Sequence, residues 1–265
     1  MPFADVGDHR VRYEERGEGV PLLLVAGLAA DHRAWGSQVD AFSRHYRTIV
    51  YDNPGIGGTT GPEQRYTTGL FADVAAGLLR RLGIESAHVV GASMGGAIAQ
   101  ELALRHPELV RTLSLHSTWG RADNHFAAIM RSWQTSARAL SLVDLCRQIW
   151  LWTFTVWFYN DRAEELRELE RLVGAEPDLQ TPDAFCRQAD ACIDHDALDR
   201  LGDVRVPTYM SAGDRDSLTP AHHAYRIKER MPEARLRVWQ QMAHAPFVEV
   251  PDEFNARQLE FLQAH

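Results

Sequence analysis

The sequence has few cysteines and almost no lysine, and both shortages narrow the classes of protein to which it can belong. Its three cysteines, Cys146, Cys186 and Cys192, follow no metal-binding or redox spacing, and their odd number suits a reducing compartment. Lys228 is the sole lysine, so scattered arginines carry nearly all of the positive charge. With a formal net charge of −8, the sequence argues against a nucleic-acid or anionic-membrane partner.

Long apolar runs are also missing. The longest uncharged, strongly apolar stretch covers residues 148–160, well short of the roughly 20 residues that a membrane span needs. The first five residues lack the basic start and apolar core of a signal peptide, so we expect a cytoplasmic location and no membrane anchor. The length of 265 residues suffices for one large α/β domain, or for a core with an inserted lobe, without disulfides.

The sequence does contain a regular alternation of strand and helix patterns. Continuous apolar runs, typical of parallel strands covered on both faces, occur at 20–26, 46–51, 87–90, 110–117, 206–212 and 236–239. Residues 3–6 and 10–15 alternate in polarity, as an antiparallel hairpin at a sheet edge does. Together these patterns predict an α/β fold with a mainly parallel sheet and helices on both faces.

The alternation stops at 119–201, where the sequence is helical and rich in large aromatic side chains. We therefore predict a core domain made of 1–118 and 202–265, with a helical cap, or lid, inserted at 119–201. The aromatic side chains can form the interior of the cap or the roof of an apolar pocket, and we expect both uses. The candidates for contact with a substrate are Trp150, Trp152 and Trp157.

The strongest motif is Gly91-Ala92-Ser93-Met94-Gly95-Gly96, which separates a strand pattern from a helix pattern. A Gly-x-Ser-x-Gly sequence in that position is typical of a nucleophile elbow, in which the turn is too tight for side chains on either side of the serine. Ser93 would then stand at the carboxyl end of the sheet, beside the positive end of a helix. The alternative is a glycine-rich turn whose serine has no chemical role.

A serine nucleophile needs a base, and a carboxylate must hold that base in the correct tautomer. His244 lies in an apolar loop after the last predicted strand, and His116 is the other histidine considered. Asp214 and Asp216 compete for the acid, and we favour Asp216, which has room to turn back toward the histidine. The oxyanion of an acyl-transfer intermediate also needs preset donors, for which the sequence offers the Met94 amide and the Leu28 amide.

The chain resembles the α/β-hydrolases over nearly its whole length. The matching residues are Gly27-Leu28, Asp52-x-Pro54-Gly55-x-Gly57, the elbow, Gly213-x-x-Asp216 and His244-Ala245-Pro246. The 25–28 loop and the tryptophan-rich cap are most similar to the 3-oxoadipate enol-lactonase-like group of esterases and lactonases. Two residues depart from the family pattern: Ala26 stands where histidine is usual and Ala243 where glycine is frequent.

The resemblance implies hydrolysis of a small, largely apolar carboxylic ester or lactone through an acyl-enzyme, with no metal or organic cofactor, and it leaves a homodimer open. Dehalogenases and epoxide hydrolases of this fold carry aspartate at the elbow, so Ser93 argues against both. Three alternatives stay open: a carbon–carbon bond hydrolase of β-diketone-type substrates, a ligand-binding member of the fold, and a catalytically silent homologue. Fold alone does not decide among them.

Overall fold

A computed structural model describes residues 2–176 and 178–265 of the chain. Within these residues, eight strands form one sheet in the order β1-β2-β4-β3-β5-β6-β7-β8. The strands are β1 (Phe3–Val6), β2 (His9–Arg16), β3 (Pro21–Val25), β4 (Arg47–Tyr51), β5 (Ala87–Ala92), β6 (Val110–His116), β7 (Thr208–Gly213) and β8 (Arg235–Trp239). β1 pairs antiparallel with β2 and β2 with β4, whereas every later pair is parallel. The predicted α/β fold is confirmed.

Helices connect the strands and cover both faces of the sheet. They are α1 (Gly36–Phe42), α2 (Thr68–Arg81), α3 (Met94–Arg105), α4 (Asn124–Ala137), α5 (Leu142–Thr153), α6 (Val156–Asp161), α7 (Ala163–Gly174), α8 (Pro182–Asp194), α9 (His222–Arg230), α10 (Pro246–Glu249) and α11 (Pro251–Gln263). A 3₁₀ turn, His32–Trp35, precedes α1, and α10 is a single short turn between β8 and α11. Among the described residues, no helix is long and apolar enough to cross a membrane.

Both faces of the central strands are buried, which explains why these strands carry continuous apolar runs. In β3, Leu22 and Leu24 face the helices α1 and α11, while Leu23 and Val25 face α2 and α3. All four side chains are fully buried. Because alternate side chains of a strand point to opposite faces, a strand covered on both sides needs an apolar residue at every position.

The segment between β6 and β7 is helical and contains α4 to α8. Its two ends meet beside the sheet, where the N–H groups of Ala197 and Leu198 donate to the carbonyl oxygen of Gly120 at 2.8 and 2.9 Å. Phe126 and Phe185 from this segment belong to the same buried cluster as the α2–α3 face of the sheet. The division into a core and a cap at 119–201 stays a prediction, and the 3₁₀ turn Leu198–Asp203 crosses its second boundary.

We expect the α2 face of the sheet to carry much of the stability. Phe71 of α2 is fully buried, so Phe71→Ala should lower the free energy of unfolding by about 3–5 kcal/mol. Phe3 is 43% exposed with Arg10 stacked on its ring, and Phe3→Ala should cost at most about 1 kcal/mol. Urea unfolding followed by circular dichroism measures both, and similar losses in the two variants would contradict this account of the core.

Candidate active site

Ser93 stands alone between the last residue of β5 and the first residue of α3. Its backbone has a φ of 56° and a ψ of −123°, a conformation that is strained for any residue with a Cβ. The turn is closed by the N–H of Ser93, which donates to His116 O at 2.9 Å, and by the N–H of Gly96, which donates to Ser93 O at 2.9 Å. The flanking residues are buried, but Ser93 stays partly exposed.

The glycines of the elbow are required by close backbone contacts. A Cβ on Gly91 would overlap the carbonyl oxygen of Gly95, and a Cβ on Gly95 would overlap the carbonyl oxygen of Val25. Neither carbonyl can move, because both belong to regular elements that are paired or packed. The parallel register that sets Val25 opposite Gly91 brings the start of α3 against the end of β3. The tight turn expected from the motif is therefore present.

His244 lies in the loop between β8 and α10, and its ring is almost completely buried. Its Nδ1 lies 2.8 Å from Oδ2 of Asp216, which follows β7. Gly213 has to be glycine at this point, because a Cβ there would overlap the carbonyl oxygens of Met242 and Ala243. Of the two candidate acids, Asp216 contacts the histidine, whereas Asp214 is exposed in the turn.

Four donors surround the Asp216 carboxylate. Oδ1 accepts from the N–H groups of Leu218 and Thr219 at 2.9 and 2.8 Å, and Oδ2 accepts from the Thr219 hydroxyl at 2.8 Å and faces His244. Burial alone would raise the pKa of Asp216, but the attraction of His244 and these hydrogen bonds outweigh it and hold that pKa below its ordinary value. An ionised carboxylate only accepts, so it places a proton on His244 Nδ1 and leaves Nε2 free to act as a base.

Thr219 is a site residue that sequence reasoning missed. Its Oγ1 also lies 3.1 Å from His244 Nδ1, so it contacts both members of the pair. The usable signal was local: an aspartate whose side chain accepts from the amides two and three residues later forms an Asx turn, which serine, threonine, glycine and proline favour. The sequence Asp216-Ser217-Leu218-Thr219-Pro220 fits that description.

The two predicted oxyanion donors are the amides of Met94, which follows Ser93 directly, and of Leu28, in the loop after β3. Met94 is the first residue of α3, so its N–H has no acceptor within the helix. The 26–28 loop runs so close to the serine that a Cβ on Gly27 would lie 3.8 Å from Ser93 Oγ. The carbonyl of Ala26 accepts from Asn53 Nδ2 at 3.0 Å, which fixes this loop where the family pattern has histidine. The oxyanion role of Leu28 and Met94 remains a proposal.

Ser93 and His244 both line one cavity of about 530 Å³. Its walls are mainly apolar and include Leu28, Trp119, Phe126, Met130, Trp133, Ile149, Trp150, Phe154, Leu169, Leu218 and Phe247. Trp150 is therefore in the wall. Among the described lining residues neither Trp152 nor Trp157 occurs: Trp152 contacts His125, and Trp157 packs on Phe158.

Sequence reasoning did not single out the contribution of α4 to this cavity. Phe126, Met130 and Trp133 recur at intervals of three and four, and this spacing places them on one buried helix face. The periodicity reveals a buried face but not whether that face meets protein or a cavity. His116, the other candidate for the base, lies inside the sheet. Ser211 and Gln258 contact its ring at 2.8 and 3.0 Å, and burial lowers its pKa to about 4.

The His244 loop is held by the segment that joins α5 to α6. The N–H of His244 donates to Thr153 O at 3.0 Å, and the buried Glu249 accepts from the Thr155 N–H at 2.7 Å and from its hydroxyl at 3.0 Å. Burial raises the pKa of Glu249, although the bonds from Thr155 oppose the rise. The predicted cap thus touches the loop that carries the base.

Known proteins resemble this chain in sequence and in fold. A sequence model described as alpha/beta hydrolase fold matches residues 20–251. RutD of Azorhizobium caulinodans, provisionally named a carbamate hydrolase, is 33% identical over 98% of each chain. The 2-hydroxy-6-oxo-6-phenylhexa-2,4-dienoate hydrolase of Comamonas testosteroni is 28% identical over 98% of this chain and 93% of its own. The crystal structure of the enol-lactonase from Burkholderia xenovorans LB400 has the same fold, with a TM-score of 0.88, 23% identity and coverage of 99% of this chain and 100% of that one.

The elbow contacts generate a prediction about stability. Gly95→Ala forces a Cβ into the carbonyl of Val25, so the free energy of unfolding should fall by at least about 2 kcal/mol. Gly36→Ala is the matched control, because Gly36 has helical dihedral angles and open space at its Cβ position, and it should be neutral or stabilising by about 0.4–1 kcal/mol. Urea unfolding of both variants measures the difference, and a harmless Gly95→Ala would refute the contact.

The lowered pKa of Asp216 predicts how stability depends on pH. The folded protein holds this proton less tightly than the unfolded chain, so the stabilisation is complete above about pH 4 and is lost as the pH falls through the lower folded pKa. Asp216→Asn should flatten the acid side of the stability curve by up to about 1.4 kcal/mol per pH unit. Urea titrations between pH 2.5 and 5 measure the slope. The exposed Asp214→Asn should keep it, and equal slopes in wild type and Asp216→Asn would contradict the assignment.

Proposed function

Because the chain belongs to the α/β-hydrolase fold family, we propose that it is a serine hydrolase that cleaves a carboxylic ester or lactone. The observation that carries the proposal is the 2.8 Å contact between His244 and the ionised Asp216, on a histidine that shares one cavity wall with Ser93. A strained, partly exposed serine that shares a cavity with a base held in one tautomer fits nucleophilic catalysis. A protein that only binds ligand has no use for that pair.

In the proposed reaction, His244 Nε2 takes the proton of Ser93 Oγ as that oxygen attacks the carbonyl carbon of the substrate. The carbonyl oxygen becomes an oxyanion, which the N–H groups of Leu28 and Met94 stabilise by on the order of 3 kcal/mol each. The bond to the leaving alcohol then breaks, the alcohol takes the proton from His244, and the acyl group stays on Ser93. A water molecule deprotonated by His244 attacks the acyl carbon, releases the acid and restores the serine.

The cavity supports a largely apolar substrate. Among the described residues, the arginines of its wall are Arg33 and Arg162, and each is already paired with a carboxylate. Arg33 pairs with Asp31 at 2.7 Å and with Glu176, and Arg162 pairs with Glu165 at 2.5 Å. An acidic ring-cleavage product would need an unpaired cation as its anchor. The carbon–carbon bond hydrolase therefore stays the less favoured alternative, although the relative from Comamonas testosteroni is named for that chemistry.

Carbamate hydrolysis is the second candidate. It is favoured by the 33% identity to RutD of Azorhizobium caulinodans over nearly the whole chain. A carbamate ester offers the same attack on a carbonyl carbon, and the same three residues would serve, with a carbamoyl group on Ser93 in place of an acyl group. The two candidates differ in the functional group of the substrate, since a carbamate has a nitrogen on the carbonyl carbon and an ester or lactone does not. They do not differ in the position of the catalytic residues.

Turnover of a substrate panel tests the proposal. We expect hydrolysis of short-chain p-nitrophenyl esters or of small lactones, and a loss of at least about 10³-fold in kcat/KM for Ser93→Ala. Ser37→Ala, another serine of the cavity wall, is the matched control and should change the rate by less than about tenfold. Aryl carbamates and a vinylogous diketone in the same panel address the two alternatives.

The covalent intermediate provides a second, independent readout. A fluorophosphonate probe should transfer its phosphonyl group to Ser93 with release of fluoride, so a peptide that contains Ser93 gains the mass of the probe less HF. Asp216→Asn should slow the labelling because the histidine loses its orientation. Ester hydrolysis that survives in Ser93→Ala, or labelling at another residue, would disprove the proposed nucleophile. Activity confined to the diketone would replace the ester assignment with the carbon–carbon one.

A further inference from the structure

A cluster of two histidines and one aspartate lies outside the active site, where the start of α4 meets the start of α9. His222 and His223 are the first two residues of α9, and Asp123 is the N-cap residue of α4. The Nε2 atoms of His222 and His223 lie 3.1 and 3.3 Å from Asp123 Oδ2, and the three ligand atoms all lie within 4.8 Å of one another. The proposed reaction uses none of these residues.

The buried ring of His223 supplies an observation that points to a ligand at this cluster. Its side chain is 1% exposed, and its Nε2 makes no hydrogen bond within the described part of the chain, although it faces the carboxylate of Asp123. A buried ring nitrogen without a hydrogen-bond partner is costly unless something else occupies it.

We propose that Asp123, His222 and His223 bind a divalent transition-metal ion of the Zn²⁺ class. Two imidazole nitrogens and one carboxylate oxygen are a donor set that such ions take, with one position left for water. The ligand atoms of a tetrahedral Zn²⁺ with bonds of about 2.0–2.1 Å lie about 3.3 Å apart, so the separations of 3.1 and 3.3 Å already match.

The remaining contacts of the cluster fit the same assignment. Asp123 Oδ1 is occupied, because it accepts from the Phe126 N–H at 2.9 Å, and this fixes the carboxylate with Oδ2 turned toward the histidines. The side chain of His222 is 52% exposed, which gives an ion a route from solvent. Hydrogen-bonded second oxygens of this kind orient metal-ligating carboxylates.

The other group with a suitable ligand set does not fit an ion. Asp31, His32 and Asp52 are all buried, and the carboxylate oxygens of both aspartates already accept hydrogen bonds, whereas His32 Nε2 has no hydrogen-bond partner among the described residues. Asp52 accepts from the His32 ring at 2.7 Å and from the Gly58 N–H at 2.8 Å, and Asp31 is paired with Arg33. Its carboxylate oxygens are therefore occupied, and none of its three members is exposed to solvent.

An ion at this cluster would join α4, the first helix of the 119–201 segment, to α9, the helix that follows the loop holding Asp216. Phe126, whose N–H Asp123 caps, lines the cavity, and α9 begins three residues after Thr219. Bound metal should therefore restrain both the cavity wall and the loop that holds Asp216. Slower hydrogen exchange at the first turn of α4 in the presence of Zn²⁺ would be the signature of this restraint.

Metal titration of the intact protein tests the site. Chelator-treated protein should bind one equivalent of Zn²⁺ in competition with a chromophoric chelator, and Co²⁺ should give the intense visible absorption of four-coordinate cobalt. His222→Ala and Asp123→Asn should each weaken binding by at least about tenfold. Both variants should fold, because His222 is exposed and asparagine caps a helix as well as aspartate does.

His45→Ala is the matched control, since it removes another exposed histidine that is distant in sequence from the cluster. Loss of binding in His222→Ala and Asp123→Asn, with His45→Ala unchanged, supports the site. Equal Zn²⁺ binding in all four proteins, or no stoichiometric binding at 100 µM metal, overturns it. The readout is metal binding alone, so it stands whatever substrate the enzyme hydrolyses.

Discussion

The close approach of α3 to the end of β3 is the constraint on which the candidate site depends. Gly95 touches the carbonyl of Val25, and no side chain fits between the two backbones. The helix can start this near the sheet only if the chain reverses sharply at Ser93, which forces its positive φ. The strain is held by the buried elements around it, and the serine side chain is left facing the cavity.

The charged side chains in and beside this largely apolar cavity are paired with groups that stabilise their charge. Asp216 is ionised although it is buried, because His244 and Thr219 stabilise its charge. Arg33 and Arg162 in the wall are also neutralised by carboxylates. Buried charges are costly without such partners. The consequence is that the charged side chains of the wall are paired, while Ser93 and His244 line the same cavity.

Most of the fold could be predicted from the sequence, because the patterns that specify its elements are local. Apolar runs such as 20–26 specify buried strands, and the family membership expected from the motifs is confirmed by the match over residues 20–251. The sequence also named Asp216 and His244, which the structure brings to 2.8 Å, since acid and base follow neighbouring strands.

What the sequence could not supply depends on long-range packing. Trp150 and Trp152 are two residues apart and equally aromatic, but α5 turns the first toward the cavity and the second toward His125. No composition rule separates them, because the choice depends on how α5 sits against α4. The 119–201 segment is therefore the part in which individual roles were hardest to foresee, and its status as a separate cap is still a prediction.

The bonds from Thr153 and Thr155 to the loop of His244 and Glu249 have a consequence for protein engineering. A cap is often regarded as an interchangeable module that sets specificity while the core supplies chemistry. Here the junction between α5 and α6 is part of the scaffold of the base. A chimera that imports a foreign insertion must reproduce that junction, or the histidine will lose a backbone anchor even though every residue of the core is retained.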